Sequence, residues 1–480
     1  MRDTRSMKRL VAVFLVFCLI PVFAPGVAAA EPTTLVVAAY DSSEEAKAQA
    51  SYICDGTSDH VEIQQALDAL PAGGTVLLTE GTYACAGNIQ PGEGKALQGA
   101  GENATVLSYP GNGGLRIRAP SVTFADFKVT GKADMIIENS HARVRNVTMT
   151  VDNSRIGAFY VWAANKVVED TVFENCKAVD CGRYGFLNSG EGTPRLVKDI
   201  KYINCEAINC GRDSSVRTGP WVTGFDIVEK NDIDGAEIIG CYAEGNQESG
   251  FHLEGFSYLN IKNVRFQDCV SVNNAQKGKD ACMFGAGFTV PKGTTLENCT
   301  SVNNKHGYLV SGGSVSKGFG NTFVNCTDEA SDYGFTIRHG YDCTLTNCES
   351  KDAARQGLVL SKAWNIKTEN FGLIGTAGYN VHAGSSETAA VKIAGTTASD
   401  DQFAYNMWNG QVTDSALDIH AEGVLCDTIV YLENAERVTL TGDATTASAD
   451  PVRVAGGTAV DTAGFTVAGD AGAPAVVAAA

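Results

Sequence analysis

Phe173-Glu174-Asn175-Cys176 recurs along the chain as Tyr202-Ile203-Asn204-Cys205, Ile239-Gly240-Cys241, Phe266-Gln267-Asp268-Cys269, Leu296-Glu297-Asn298-Cys299, Phe323-Val324-Asn325-Cys326 and Leu345-Thr346-Asn347-Cys348. Successive cysteines lie 29, 36, 28, 30, 27 and 22 residues apart. After each comes a glycine followed by a large apolar residue: Gly185-Phe186, Gly224-Phe225, Gly250-Phe251, Gly287-Phe288, Gly307-Tyr308, Gly334-Phe335 and Gly357-Leu358. Short alternating runs follow, as in Phe251-His252-Leu253-Glu254, and a period of two marks a strand with one buried face. A unit this short, without helical periodicity, has no way to bury its apolar face alone. It must stack on copies of itself, which gives a parallel β-solenoid with coils ~4.8 Å apart.

Stacking turns each recurrent position into a ladder along the axis. Asn before Cys is one ladder, where side-chain amides bond the coils above and below. The sequons Asn298-Cys299-Thr300 and Asn325-Cys326-Thr327 fall inside it and read as structural. The seven cysteines occupy one inward position as small apolar residues, and Cys181 and Cys210 begin a second row. Cys54 and Cys85, outside the ladder, are expected to form a disulfide. Zinc is not expected, because the chain has no CxxC pair or compact Cys/His spacing.

A solenoid needs covered ends. Ser58 to Leu70 places apolar residues at Val61, Ile63, Ala66, Leu67 and Leu70 behind Ser58 or Asp59 as N-cap, which predicts an amphipathic capping helix. The stretch Cys54 to Tyr83, CDGTSDHVEIQQALDALPAGGTVLLTEGTY, resembles the start of right-handed parallel β-helix proteins of the pectate-lyase-like superfamily. Leu97-Gln98-Gly99-Ala100-Gly101 and the later coils follow the same pattern over roughly residues 35–380. The resemblance implies an all-β, right-handed parallel β-helix with an N-terminal capping α-helix. It does not fix an activity, because that superfamily holds lyases, hydrolases, epimerases and non-catalytic surface proteins.

Arg2, Arg5, Lys8 and Arg9, the apolar run Leu10 to Phe23, and Ala28-Ala29-Ala30 together predict an export signal over 1–30. The expected organisation is then the helix over 31–383, irregular C-terminal β coils or a cap over 384–470, and a mobile tail over 471–480. Removing the signal takes away four basic groups and one acid, moving the net charge from −18 to −21. Such an acidic chain lacks the basic footprint of a nucleic-acid binder. No later segment is long and apolar enough to span a bilayer. A secreted or cell-surface location is the expectation.

If the aromatic after each glycine points inward, the next residue points outward. That row runs Leu187, Asp226, His252, Thr289, Leu309, Thr336, Val359, and the row two residues on runs Ser189, Val228, Glu254, Pro291, Ser311, Arg338, Ser361. Asp226, His252 and Glu254 therefore meet on one exposed sheet as candidate catalytic residues. Trp221, Glu229, Lys292, Arg338, His339 and Lys362 are candidate substrate contacts. Two long insertions, Cys205 to Gly224 and Cys269 to Gly287, carry Arg212, Arg217, Trp221 and Lys277, Lys279, Phe284, and are expected to wall a groove. A carboxylate beside an imidazole supplies a general base, and a second carboxylate an acid or metal ligand. Removing the proton beside a uronate carboxylate also requires that charge to be neutralised, by Arg338, by the lysines or by Ca²⁺. Gly224-Phe225-Asp226 is similar to the start of the catalytic motif of alginate epimerases, but Val228 stands where that family has histidine. The sequence points to a polysaccharide-engaging protein, a lyase or C5-epimerase on acidic glycans. The rival is a non-catalytic surface or adhesion protein in which the helix is a rod.

Overall fold

The computed structural model describes residues 33–152, 156–212, 221–311, 318–377, 379–380, 388–394, 412–424, 428–445, 452–468 and 477–479. The expected export signal and Arg217 lie outside them. Among the described residues every strand pairing is parallel except that of Tyr379–Asn380 with Thr388–Ala394. Three series of strands run along the axis. One includes Val172–Glu174 and Arg195–Ile203, a second Lys177–Val179 and Glu206–Ile208, both continuing from Arg143–Val151. The third consists of Phe186–Ser189, Phe225–Val228, Phe251–Leu253, Ala286–Thr289, His306–Ser311, Tyr333–Arg338 and Gln356–Ser361.

The repeated glycine–aromatic pair has a packing cause. Phe159, Phe186, Phe225, Phe251, Phe288, Tyr308 and Phe335 stack face to face inside the helix, with centroids 4.5–5.2 Å apart. Coil spacing and ring stacking distance coincide, so one aromatic per coil makes a continuous apolar column. The glycine before each ring sits against the next coil. A Cβ on Gly287 would lie 2.7 Å from the Gly307 carbonyl oxygen, and one on Gly224 3.0 Å from that of Gly250.

The Asn-Cys pair is a turn. Asn175, Asn204, Asn298, Asn325, Asn347 and Asn370 all take φ of 50–53°, a left-handed conformation that asparagine tolerates better than most residues. Gly240, with φ of 61°, replaces it in one coil. The amides form the expected ladder: Asn325 donates to Asn298 at 3.1 Å, Asn347 to Asn325 at 3.3 Å, and Asn370 to Asn347 at 3.0 Å. Asn298 donates to Asp268 at 3.1 Å, so both sequon asparagines are ladder members.

The ladder cysteines are buried free thiols. So are Cys54 and Cys85, which corrects the expected disulfide. Burial pushes both thiols up, Cys85 to about 12, and the nearby Asp59 and Glu62 add to the effect at Cys54. Neither readily gives the thiolate that disulfide formation requires.

The helix expected over Ser58–Leu70 spans His60–Ala69 and buries Ile63, Ala66 and Leu67, while Val61 is exposed. It packs on the strands Thr34–Ala38, Tyr52–Ile53, Thr75–Leu78 and Asn88–Ile89, the first of the chain. Asp59 does not cap it through its side chain. Its carboxylate instead accepts from the Gly56 and Ala84 amides at 2.9 and 2.7 Å. At the other end Val412–Glu422 pairs with Thr428–Thr445, which pairs with Val452–Thr458 and Asp461–Ala468, so stacking continues past the NC repeat. Val477–Ala479 adds a strand to Val452–Thr458, within the stretch expected to be a mobile tail. Three apolar residues, Val477-Ala478-Ala479, find an unpaired strand edge there.

Candidate active site

The third strand series carries the outward row. Asp226 pairs with His252, His252 with Thr289, Thr289 with Leu309, Leu309 with Thr336 and Thr336 with Val359. The row two residues on departs from the simple alternation. Between Asp226 and Val228 the register shifts, so that Val228 pairs with Leu253. One extra residue on a strand re-aims every side chain after it. Val228 is fully buried in the core, and Glu229 rather than Val228 stands level with Glu254. The Ser189 hydroxyl donates to Glu229 Oε2 at 3.0 Å, completing that row.

The sheet expected to be exposed is roofed. Asp226 is 3% and His252 4% exposed. The second insertion supplies part of the cover: the Phe284 ring lies 4.8 Å from the imidazole, centroid to centroid. Glu248, itself buried, clamps the insertion by accepting the amides of Phe284 and Gly285 at 2.7 and 3.2 Å. Lys279 ties the same loop to Asn303 and Asp332 at 3.0 and 2.9 Å. Beneath this cover Asp226 Oδ1, His252 Nδ1 and Thr289 Oγ1 have no hydrogen-bond partner among the described residues. Unsatisfied polar atoms on three consecutive coils are costly and mark a place where a ligand group belongs.

Electrostatics separates the roles. Burial, then the charges of Glu229 and Glu254, hold the Asp226 carboxyl well above its ordinary range and favour its protonated form. His252 Nε2 lies 3.5 Å from Glu254 Oε2. An Nε2–H directed at that carboxylate leaves the lone pair on Nδ1.

The other sequence candidates do not converge on this cluster. Arg338 is buried and in register with Ser311 and Ser361. It is four coils from Asp226, roughly 19 Å along the axis at ~4.8 Å per coil, and does not reach a group held by Asp226. Lys292 donates to the Leu259 carbonyl at 2.7 Å at the corner of the coil. His339 and Lys362 occupy left-handed turns, φ 51° and 48°, at the same corner further along. Trp221 is exposed, with φ of 74°.

Two residue sets were missed by counting only positions after the glycine. The residue before it also reaches the face: His306 Nδ1 bonds Thr336 Oγ1 at 2.9 Å. Tyr184 holds this position beside Asp226, and burial pushes its phenol well above its ordinary range. Polar residues before six of the seven glycines (Tyr184, Thr223, Ser249, His306, Tyr333 and Gln356, with Ala286 the exception) were the available signal. The second set is Phe256 and Tyr258, exposed, stacked at 5.3 Å and placed just beyond Glu254.

A cavity of about 440 Å³ lies at the roots of the two insertions, lined by Arg212, Gln247, Gln276 and Lys277 among others. Arg212 pairs with Asp180 at 2.8 Å. Among the described residues the group with metal-ligand spacing is Cys54, Asp59 and Glu62, near the N-terminal helix. The carboxylates of the candidate site do not converge in that way.

Residues 234–398 match the family described as right handed beta helix region. A comparison with curated protein sequences finds no match. Among solved structures the chain is similar to the A-module of mannuronan C-5 epimerase AlgE4 of Azotobacter vinelandii. The identity is 14% and the TM-score 0.37, over 88% of this chain and 96% of that one. It is also similar to pectate lyase Pel9A (16%, TM-score 0.38, 66% and 79%) and to the pre-mature bacteriophage phi29 gene product 12 (11%, TM-score 0.46, 86% and 71%). No helix of the described residues is long and apolar enough to cross a membrane. With its coils stacked in parallel and its middle matched to that family, the chain is a right-handed parallel β-helix.

Proposed function

We propose that the protein is an exported enzyme acting on an acidic polysaccharide, by proton abstraction at the ring carbon beside a uronate carboxylate. The observation that carries this reading is the in-register pair Asp226 and His252, buried together with Oδ1 and Nδ1 unpartnered. His252 Nδ1, with Nε2 oriented by Glu254, is the base. Asp226, kept neutral, donates a hydrogen bond to the substrate carboxylate and spreads the charge that builds when the proton leaves, the role first sought in Arg338. Tyr184, kept protonated, supplies the proton that the leaving oxygen or the opposite ring face requires. Loss of the leaving oxygen gives a lyase; return of a proton to the other face gives an epimerase.

The test is incubation with polygalacturonate, alginate and a neutral glucan. Unsaturated ends are followed by ultraviolet absorbance and epimer ratios by NMR. Turnover of an acidic polymer supports the reading. Binding of a polymer without turnover favours the non-catalytic surface protein instead.

A further inference from the structure

Most of the exposed aromatic side chains of the described residues fall on one corner of the helix. Phe319, Tyr341 and Trp364 are in register on three consecutive coils. One coil earlier the same place is held by Lys292, since the Gly293 amide donates to the Phe319 carbonyl at 2.8 Å. Lys292 in turn reaches back to Leu259, beside Tyr258 and Phe256. Phe256, Tyr258, Phe319 and Trp364 are between 37% and 54% exposed. Tyr341 lies between its two neighbours, its ring 5.4 Å from Phe319. The strip thus runs over four coil steps, roughly 19 Å. Four exposed rings, Phe256, Tyr258, Phe319 and Trp364, the last two bridged by the buried Tyr341, form a surface that points to binding rather than packing.

We propose that this corner is a binding track for a strand of acidic polysaccharide, lying along the helix axis and passing the candidate site. Three features fix the occupant. A line of flat rings fits a linear polymer of flat sugar rings, whose C–H faces rest on the aromatic faces. The strip is continuous with the site, because Phe256 follows Glu254 by two residues. Cations punctuate it in a chain of net charge −18. The Arg195 guanidinium lies over the Tyr258 ring at 5.1 Å, and exposed Lys362 stands two residues before Trp364. The track rests on the polysaccharide reading above but not on any chemistry at Asp226.

The experiment is affinity electrophoresis and calorimetry of the full chain with polygalacturonate and alginate, and with a neutral mixed-linkage glucan. Tyr258→Ala and Trp364→Ala, at opposite ends, are each expected to weaken binding of an acidic polymer about tenfold, ~1.4 kcal/mol, with unchanged melting midpoints. Tyr40→Ala, at an exposed aromatic on the first coil and away from this corner, is expected to bind like the wild type. Wild-type affinity in both aromatic variants would overturn the track, and equal retention by the neutral glucan would overturn its acidic ligand. Binding that depends on Tyr258 and Trp364 without turnover would leave the track standing and remove the proposed chemistry. Turnover with binding indifferent to both residues would do the reverse.

Discussion

Nε2 of His252 lies 3.5 Å from Oε2 of Glu254, two residues further along the chain, and Nδ1 is the imidazole nitrogen left without a partner among the described residues. Glu254→Gln keeps the shape but lets the amide present either end to Nε2. Turnover is expected to fall roughly 10²-fold or more, with KM little changed, as for other orienting carboxylates. Steady-state kinetics of the purified variant check this. A change in KM alone would show that Glu254 only binds.

The bulge after Asp226 makes opposite demands on neighbouring residues. Val228 is in the core and Glu229 on the outward row. Val228→Asp is therefore expected to cost about 3 kcal/mol or more, the penalty of a buried unpaired charge. Glu229→Ala is expected to stay within about 0.5 kcal/mol. Urea unfolding of the two variants gives the answer, and tolerance of Val228→Asp would mean the strand runs without the bulge.

Asp328 provides a pH-dependent stability term away from the site. Fully buried in a polar ladder, it accepts from Ser331 at 2.6 Å, and desolvation raises its pKa from 3.8 to about 7. The folded state binds the proton more tightly than the unfolded state. The contribution is thus intact below 3.8 and is lost as pH rises through about 7. Asp328→Asn is expected to melt higher than the wild type at pH ~8 and to flatten this dependence. Equal midpoints for the two proteins at both ends of the range would contradict it.

Cys54 and Cys85 are expected to alkylate as free thiols when the unreduced protein is denatured, as are the ladder cysteines. Peptide mass spectrometry reads this directly. A cross-linked Cys54–Cys85 peptide would show that the pair oxidises in spite of its burial.

Much of the architecture was readable because the physics is periodic. One aromatic, one glycine and one Asn-Cys turn per coil recur at the coil length, so their spacing in sequence sets the register in space. That same register places Asp226 opposite His252. The bulge was not readable. Ile227 adds one residue inside an apolar run and carries no turn signal, yet it inverts Val228 and Glu229. The roof over the row was also hidden, because Glu248 gathers the amides of Phe284 and Gly285 from 36 and 37 residues away. The aromatic corner escaped because Phe256, Phe319 and Trp364 follow their glycines at unequal distances, and only the stacked coils bring them into line. Trp364 is itself exposed.

In the proposed reaction His252 removes a ring proton beside a protonated Asp226. Reaction in deuterated solvent, followed by NMR of the polymer, tests it most directly. The account predicts that the wild type creates unsaturated ends or places deuterium at the carbon bearing the carboxylate. It also predicts that His252→Ala and Asp226→Asn do neither above ~1% of the wild-type rate, the lower bound of general acid–base catalysis. Burial and its carboxylate neighbours raise Asp226, so turnover should fall as pH climbs through its pKa rather than below the ordinary carboxyl range. Undiminished deuterium incorporation or product in either variant would contradict the account.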